Sequence, residues 1–289
     1  MSNDFFFLYL WFSMLNNVII KNLMTRKKEY VLILGASSGF GRAIATAYAN
    51  EGYDIYGIHL DLGSAATKVN EFRQELEKKY GIKAVFFNGN GAADDKREEV
   101  ITHIKKEEPK HKMRALVHTM AFGALKPFIA KDHNEMLTKK QIEMTMDVMA
   151  NSLIYWAQDC FKANMFAENS KIFAMTSIGS TRAMVSYGAV SAAKAALEAY
   201  IRQLAVELGP SKVSSIAILA GVTDTPAARK IPRFESMLER TRSYNPYQHN
   251  TTPELVAEAV IMLTSPNYYF INGQTIAVDG GENILNFAE

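Results

Sequence analysis

Tyr187 and Lys194 lie seven residues apart in the run Tyr187-Gly-Ala-Val-Ser-Ala-Ala-Lys194, near the middle of a long alanine-rich stretch that reads as helix. Seven residues make almost two helical turns, so the phenol and the ammonium fall on one face. A tyrosine has an ordinary pKa of about 10 and is a poor proton donor at neutral pH. A nearby lysine cation favours the phenolate and brings the group closer to working range. Upstream, Thr176 and Ser177 end the apolar run Lys171-Ile-Phe-Ala-Met-Thr-Ser177, where a strand tip could aim a hydroxyl at the same point. Serine, tyrosine and lysine converging on one spot suit chemistry in which charge develops on a carbonyl or enolate oxygen. The plain alternative for this spacing is an ordinary helix surface, and the elements upstream decide between the two.

Those elements begin at Tyr30-Val-Leu-Ile-Leu34, a continuous apolar run with the pattern of a strand buried on both faces. It leads directly into Gly35-Ala-Ser-Ser-Gly-Phe-Gly41 and then into the helix former Arg42-Ala-Ile-Ala-Thr-Ala-Tyr-Ala49. Strand, glycine turn and helix in that order form the context in which glycines let a backbone approach a pyrophosphate at a helix N-terminus. Asp54-Ile-Tyr-Gly-Ile-His-Leu60 reads as the second strand. An acid at its end would hold the adenosine ribose and favour NADH, whereas a base would favour NADPH. Asp61 lies slightly late for that role, His59 stands where the acid is expected, and no Arg or Lys is adjacent. The choice between the cofactors stays open, with Asp61 favouring NADH.

The chain has 289 residues, nearly half of them apolar, with a net charge of +2. That charge is too small to argue for nucleic acid. The single cysteine, Cys160, cannot form an intrachain disulfide, which fits a reducing, cytoplasmic compartment, and its apolar surroundings read as core. Six histidines lack ligand spacing, so no metal site is expected. Phe5 to Ile20 is strongly apolar but broken by Asn16-Asn17, and it is short for a spanning helix. It reads as a peripheral anchor, an arm on a partner subunit, or a leader upstream of a start at Met24. The last is favoured, because Met24 shortly precedes the first core strand. Residues 1–23 are therefore set apart from a single domain over 24–289, and no membrane contact is expected unless the extension is an anchor.

Further along, Ser64 to Tyr80 and Asp94 to Glu108 read as solvated helices around a strand at Lys83-Ala-Val-Phe-Phe87. Ala115-Leu-Val-His118 is a fourth strand, and Thr138-Lys-Lys-Gln141 has capping-box form and opens a helix running to about Phe166. Val213 to Leu219 is a sixth strand, and Gln274 to Val278 a seventh. Residues 226–251 break the alternation with three prolines and the cluster Arg229, Lys230, Arg233, Arg240 and Arg242, so about 223–251 reads as an irregular substrate lid. Thr252-Pro253 caps the last helix. The alternation predicts an α/β, Rossmann-type, doubly wound parallel sheet of seven strands with helices on both faces and the site along its C-terminal edge.

Assembled, Lys28 to Asn283 resembles the short-chain dehydrogenase/reductase family. The resemblance rests on the Gly35-x3-Gly-x-Gly turn, Asn90 after the third strand, and Val278-Asp-Gly-Gly281. Most of that family places the tyrosine four residues before the lysine, where this chain has Val190. Tyr-x6-Lys is similar to the divergent branch, the enoyl-acyl carrier protein reductases. Val117-His-Thr-Met-Ala121, Ala220-Gly221 in place of Pro-Gly, and Asp147-Val-Met149 without the usual Asn resemble the same branch. Ser177 points the other way, standing seventeen residues before Lys194 as in the ordinary family, where enoyl reductases often carry a second tyrosine.

The resemblance implies a nicotinamide cofactor, NADH or NADPH, against Gly35, Ser37, Ser38, Gly39, Phe40, Gly41, Asp61, Asn90, Gly91, Met120, Ala121, Thr176, Lys194, Gly221, Thr223 and Thr225. Asn90 would contact adenine and Thr225 the nicotinamide end. It also implies Tyr187, Lys194 and Ser177 as catalytic residues, an acyl thioester substrate on acyl carrier protein, and long helices pairing into a homotetramer. The expected activity is NAD(P)H-dependent reduction of a 2-enoyl thioester in fatty acid synthesis, with Lys194 lowering the phenol's pKa. A 3-ketoacyl or carbonyl reductase using the same three residues is the alternative, and a nucleotide-binding protein without turnover is a third.

Overall fold

The computed structural model describes residues 29–285, so the apolar stretch before Met24 and the last four residues lie outside them. Seven strands form one sheet in the order β3-β2-β1-β4-β5-β6-β7, and every neighbouring pair is parallel. They are β1 (Glu29–Leu34), β2 (Asp54–His59), β3 (Ala84–Asn88), β4 (Lys112–His118), β5 (Phe166–Thr176), β6 (Val213–Ala220) and β7 (Gln274–Val278). The expected doubly wound sheet is therefore present. Parallel neighbours need crossovers, and the helices supply them: α1 (Gly39–Asn50), α2 (Ser64–Tyr80), α3 (Asp94–Glu107), α4 (Lys139–Met146), α5 (Ser152–Lys162), α6 (Gly188–Leu208), α7 (Phe234–Tyr244) and α8 (Pro253–Thr264).

Two apolar cores follow, one on each face. Leu32, Leu116, Trp156, Leu197 and Ile201 anchor one, while Ile33, Ile44, Phe72, Phe173 and Val256 anchor the other. On the second face α1 lies against α8, and Tyr48 hydrogen-bonds Thr264 at 2.6 Å. On the first, the Trp156 indole donates to the Gly91 carbonyl at 2.7 Å, tying α5 to the turn after β3. Cys160 is buried there, as its pattern predicts, and burial raises its thiol pKa.

Two expectations need correction. The helix opened by Thr138 does carry a capping box with Gln141, but it does not run unbroken to Phe166. A widened turn occupies Asp147–Asn151, the helix resumes as α5, and it ends at Lys162. Such a turn takes in one extra residue and shifts the phase of everything after it. Side chains brace it: Tyr155 donates to Asp147 at 3.0 Å and Tyr200 to Asn151 at 2.9 Å. The segment after β6 is also not irregular throughout, since it holds α7 and a short turn at Ala228–Lys230. Pro226, Pro232 and Pro246 flank these pieces rather than interrupt them. Phe234 and Thr241, seven apart, turn the inner face of α7 toward the protein. Among the described residues, no helix is long and apolar enough to cross a membrane.

Candidate active site

The glycine turn is built by close approach. Gly35 has φ of +96°, and a Cβ on Gly41 would lie 2.0 Å from the Gly35 carbonyl oxygen, so only hydrogen fits there. The Thr119 hydroxyl sits against the Leu34 and Gly35 carbonyls at 2.9 and 3.0 Å and locks the turn to β4. α1 begins at Gly39, and its N-cap residue Ser38 makes no side-chain cap bond. The first-turn N–H groups at the positive end of a twelve-residue helix are thus left for a ligand, and an anionic pyrophosphate fits that cradle. Ser37, Gly39 and Phe40 are half-buried along it. A Cβ on Gly39 would meet Thr225 Cγ2 at 3.2 Å, so the turn and the segment after β6 close on one space.

At the end of β2 the Asp61 carboxylate accepts from, or faces, His59 Nδ1 at 2.9 Å. Asn88 clamps the Asp61 backbone, donating to its carbonyl at 2.7 Å and accepting its N–H at 3.1 Å. Asn90 is engaged in its own turn, accepting from Ala92 N at 3.0 Å. A Cβ on Gly91 would meet Met120 Sδ at 2.8 Å, which puts Met120 directly against that turn.

Tyr187 is not inside the helix. It is the N-cap residue of α6, and its carbonyl accepts from Ser191 N at 2.8 Å. The alanine-rich run after it, with no contrasting residue before it, hid this boundary. Lys194 lies in the second turn, buried, and its Nζ donates to the Met175 carbonyl at 2.7 Å. Burial pushes Lys194 down to about 8, with the Glu198 carboxylate opposing the drop. Ser177 follows directly on β5. A Cβ on Gly179 would lie 2.7 Å from Tyr187 Cε1 and 3.3 Å from Ser177 Oγ, so the phenol ring and the serine hydroxyl close on the same point. The expected lowering of the phenol by Lys194 is not what this arrangement does. Burial raises the Tyr187 pKa, and the nearby Ser177 hydroxyl works against that rise. Ser177 Oγ itself is buried and, on geometry, lacks a hydrogen-bond partner.

Tyr187, Ser177, Thr176 and Lys194 line a cavity of about 210 Å³ together with Thr119, Ala121, Gly221, Thr223 and Thr225. Sequence reasoning missed its apolar end, where Phe122, Leu125, Met184, Ile231, Phe234 and Met237 meet from three separate segments. Their types carry no signal apart from the fold. Met149, from the widened turn, and Val190 also reach the cavity, so the position four before Lys194 contributes only a hydrocarbon. His118 stands out in the sequence only as part of the Val117–Ala121 run. It is fully buried beneath the site, with Nε2 2.9 Å from Ser152 Oγ, and burial followed by the Lys194 charge pushes it down to about 3. Glu282, also missed, is a buried carboxylate on the same cavity. No cluster of three or more His, Cys, Asp or Glu side chains among the described residues is placed to hold a metal.

Comparison with known proteins agrees with this geometry. A sequence model described as Enoyl-(Acyl carrier protein) reductase matches residues 35–283. An enoyl-(acyl-carrier-protein) reductase (NADH) of Aquifex aeolicus strain VF5 is 28% identical over 255 residues, covering 84% of this chain and 92% of the relative. The enzyme of the same description from Escherichia coli K12 is 27% identical over 261 residues, covering 90% and 95%. A solved structure of the Bacillus cereus enoyl-acyl carrier protein reductase with NADP+ and indole naphthyridinone superposes with a TM-score of 0.80. It is 24% identical and spans 90% of this chain and 98% of that one. The chain belongs to the enoyl-(acyl carrier protein) reductase family of short-chain dehydrogenase/reductase oxidoreductases.

Proposed function

We propose that the protein reduces the double bond of a 2-enoyl thioester carried on acyl carrier protein, with Tyr187, Ser177 and Lys194 as its catalytic residues. The observation that carries this reading is the meeting of Tyr187 and Ser177 over an apolar cavity in which residue 190 is a valine. Bound at the glycine turn, the nicotinamide cofactor supplies hydride to the substrate's β-carbon. The protein's part is to stabilise the charge that then develops on the thioester oxygen. Tyr187, protonated at neutral pH and with its pKa raised further by burial, donates a hydrogen bond to that oxygen. The unpartnered Ser177 hydroxyl gives a second donor from the strand side. Lys194 is held by the Met175 carbonyl with donors left over for the nicotinamide ribose.

The cavity's apolar end takes the acyl chain and excludes water. Residues 223–251 act as its lid, with Ile231, Phe234 and Met237 facing inward. Lys230, Arg233, Arg240 and Arg242 are exposed on the lid and suit an acidic carrier protein, whereas Arg229 is paired with Asp224 at 2.6 and 2.7 Å. Asp61 at the end of β2 supports NADH. Exposed Phe161 on α5 and Val206 on α6 suit helix pairing in a homotetramer, and a reducing, cytoplasmic setting suits the single thiol.

Ser177 favours a second reading, ketone reduction of a 3-ketoacyl thioester. Purified protein given NADH or NADPH with a crotonyl thioester, and separately with an acetoacetyl thioester, distinguishes them. Faster oxidation with the crotonyl substrate supports enoyl reduction, and turnover of acetoacetyl alone replaces it with the second reading. Turnover of neither would leave a nucleotide-binding protein.

A further inference from the structure

Glu282 opens a short helical turn, Glu282–Ile284, directly after β7 and Asp279-Gly-Gly281. Its side chain is 4% exposed and lies on the wall of the catalytic cavity, where the other charged residues are Lys194 and Lys230. Both carboxylate oxygens share a single donor, the Val222 N–H, at 3.1 and 3.2 Å. Among the described residues no Lys, Arg or His comes within ion-pair distance of it. Arg182, the cation whose charge acts on it, donates from Nη2 to the Asn283 carbonyl at 3.1 Å and makes no ion pair with Glu282. A carboxylate offers about four lone-pair directions. One shared N–H leaves most of that capacity unmet in a buried position, which is costly unless something else enters.

The position of Glu282 says which end of a ligand it meets. A Cβ on Gly221 would lie 2.7 Å from Glu282 Oε2, and Val222 leads on through Thr223 to Thr225, the residue that closes against the glycine turn. The reacting end of an acyl thioester brings only acceptor oxygen and sulfur. The nicotinamide carboxamide brings an amino group with two N–H donors.

We propose that Glu282 is a cofactor-binding residue that accepts a hydrogen bond from the carboxamide N–H of the nicotinamide and so fixes the orientation of its ring. This rests on the nicotinamide-cofactor part of the reading above and is independent of whether the substrate is enoyl or keto. The carboxylate's unmet acceptor capacity is then satisfied only in the loaded protein.

The test compares binding, not turnover, for the full chain and Glu282→Gln. Three probes are titrated: NADH, reduced 3-acetylpyridine adenine dinucleotide, and ADP-ribose. The acetylpyridine compound keeps the carbonyl acceptor and loses both N–H donors, while ADP-ribose lacks the nicotinamide altogether. Wild type is expected to bind NADH about tenfold tighter than the acetylpyridine compound, the scale of one hydrogen bond to a charged group. Glu282→Gln, which keeps a neutral acceptor and the side chain's shape, is expected to cut that preference to a few-fold with ADP-ribose unchanged. Absence of the preference in wild type overturns the proposal, a result that needs no variant to fold. So does an equal preference in both proteins, or a parallel loss of ADP-ribose affinity, which would make Glu282 only a prop for Val222. Failure of wild type to bind ADP-ribose or NADH at all would instead overturn the cofactor reading itself.

Discussion

The Thr176 hydroxyl donates a 2.6 Å hydrogen bond to the Glu198 carboxylate, and Glu198 stands four residues beyond Lys194, one turn along α6. The end of β5 is thereby bound to the acid whose charge also acts on the lysine. Burial holds the Lys194 pKa at about 8, and Glu198 is the charge that resists a further fall.

Glu198→Gln should therefore lower the Lys194 pKa, because the opposing negative charge is lost while burial remains. If charged Lys194 holds the ribose, NADH affinity and turnover will fall off at lower pH than in wild type. Their alkaline limbs, followed from pH 6 to 9, should both move downward. An unmoved limb would show that Lys194 does not feel Glu198.

Gly41 and Gly209 make a matched pair of glycine substitutions. Alanine at 41 would place its Cβ 2.0 Å from a backbone oxygen that cannot move without opening the glycine turn. Overpacking of this kind typically costs about 1–3 kcal/mol. The expectation is a lower melting temperature together with at least tenfold weaker ADP-ribose binding. Gly209 has φ −52° and ψ −46°, and a Cβ there would meet no atom within 4 Å. Alanine at 209 should be tolerated and stabilise by about 0.4–1 kcal/mol through the unfolded chain. Equal tolerance at both sites would mean that the turn is not tightly closed in solution.

Asp61 is held by His59 at 2.9 Å and by Asn88 through its backbone, so its carboxylate has a fixed place at the end of β2. If the adenosine ribose lies there, the carboxylate repels the 2′-phosphate of NADPH. Asp61→Ala should then narrow the preference for NADH over NADPH by roughly tenfold, the scale of one partly screened like-charge contact. Equilibrium binding of both cofactors to both proteins measures it. An unchanged ratio would remove Asp61 from the ribose site.

The sheet was legible in the sequence because central strands such as β1 and β6 hold continuous apolar runs that end at a glycine, and because capping residues such as Thr138 and Thr252 mark helix starts. The widened turn at Asp147–Asn151 was not, since one extra residue in a turn changes neither composition nor propensity. Tyr187 was placed too deep in its helix for a related reason: Val185-Ser186 before it and Gly188-Ala189 after it give no contrast. Ser186 adopts φ of +59°, a backbone feature that no residue type at that position announces. The proposed trio of Ser177, Tyr187 and Lys194 could be found by spacing, as its members sit on one strand end and at the start of one helix. The apolar wall of Phe122, Met184 and Phe234 could not, because residues so far apart in the chain meet only in the fold. Glu282 was hidden by its neighbours, whose Asp-Gly-Gly pattern draws attention to the turn rather than to the acid after it.

Glu282 also makes a stability prediction that does not depend on any ligand. Its pKa is pushed up to about 7 by burial, with Asp279 adding to the rise while the Val222 N–H and Arg182 oppose it. A raised carboxyl pKa means that the folded protein holds the proton more tightly than the unfolded chain. The favourable contribution is full below the ordinary carboxylate pKa and is lost as pH rises through about 7. The total is on the order of 3–4 kcal/mol. Glu282→Gln cannot ionise, so its melting temperature should gain on wild type as pH rises from 5 to about 7 and level off by about pH 8. A constant difference across that range would mean that Glu282 titrates normally.

Tyr187→Phe tests the reaction itself. The substitution keeps the ring that packs against Gly179 and removes only the hydroxyl, so fold and cofactor affinity should survive. Losing one preorganised donor to a developing oxyanion costs about 10²–10³ in turnover, and a fall of that order is expected for enoyl reduction. Because burial raises the phenol's pKa, wild type should show no loss of this donor near neutral pH. Lys194→Ala should differ, weakening NADH binding as well as rate, if its ammonium makes the proposed ribose contact. Ser177→Ala supplies the internal comparison. If both hydroxyls serve one oxygen, it should cost less than Tyr187→Phe, and the double variant should lose less than the product of the two. Should Tyr187→Phe keep near-normal turnover on every thioester and ketone tried, Tyr187 is a helix cap and nothing more. Ser177, with its buried and unpartnered hydroxyl, would then be the donor.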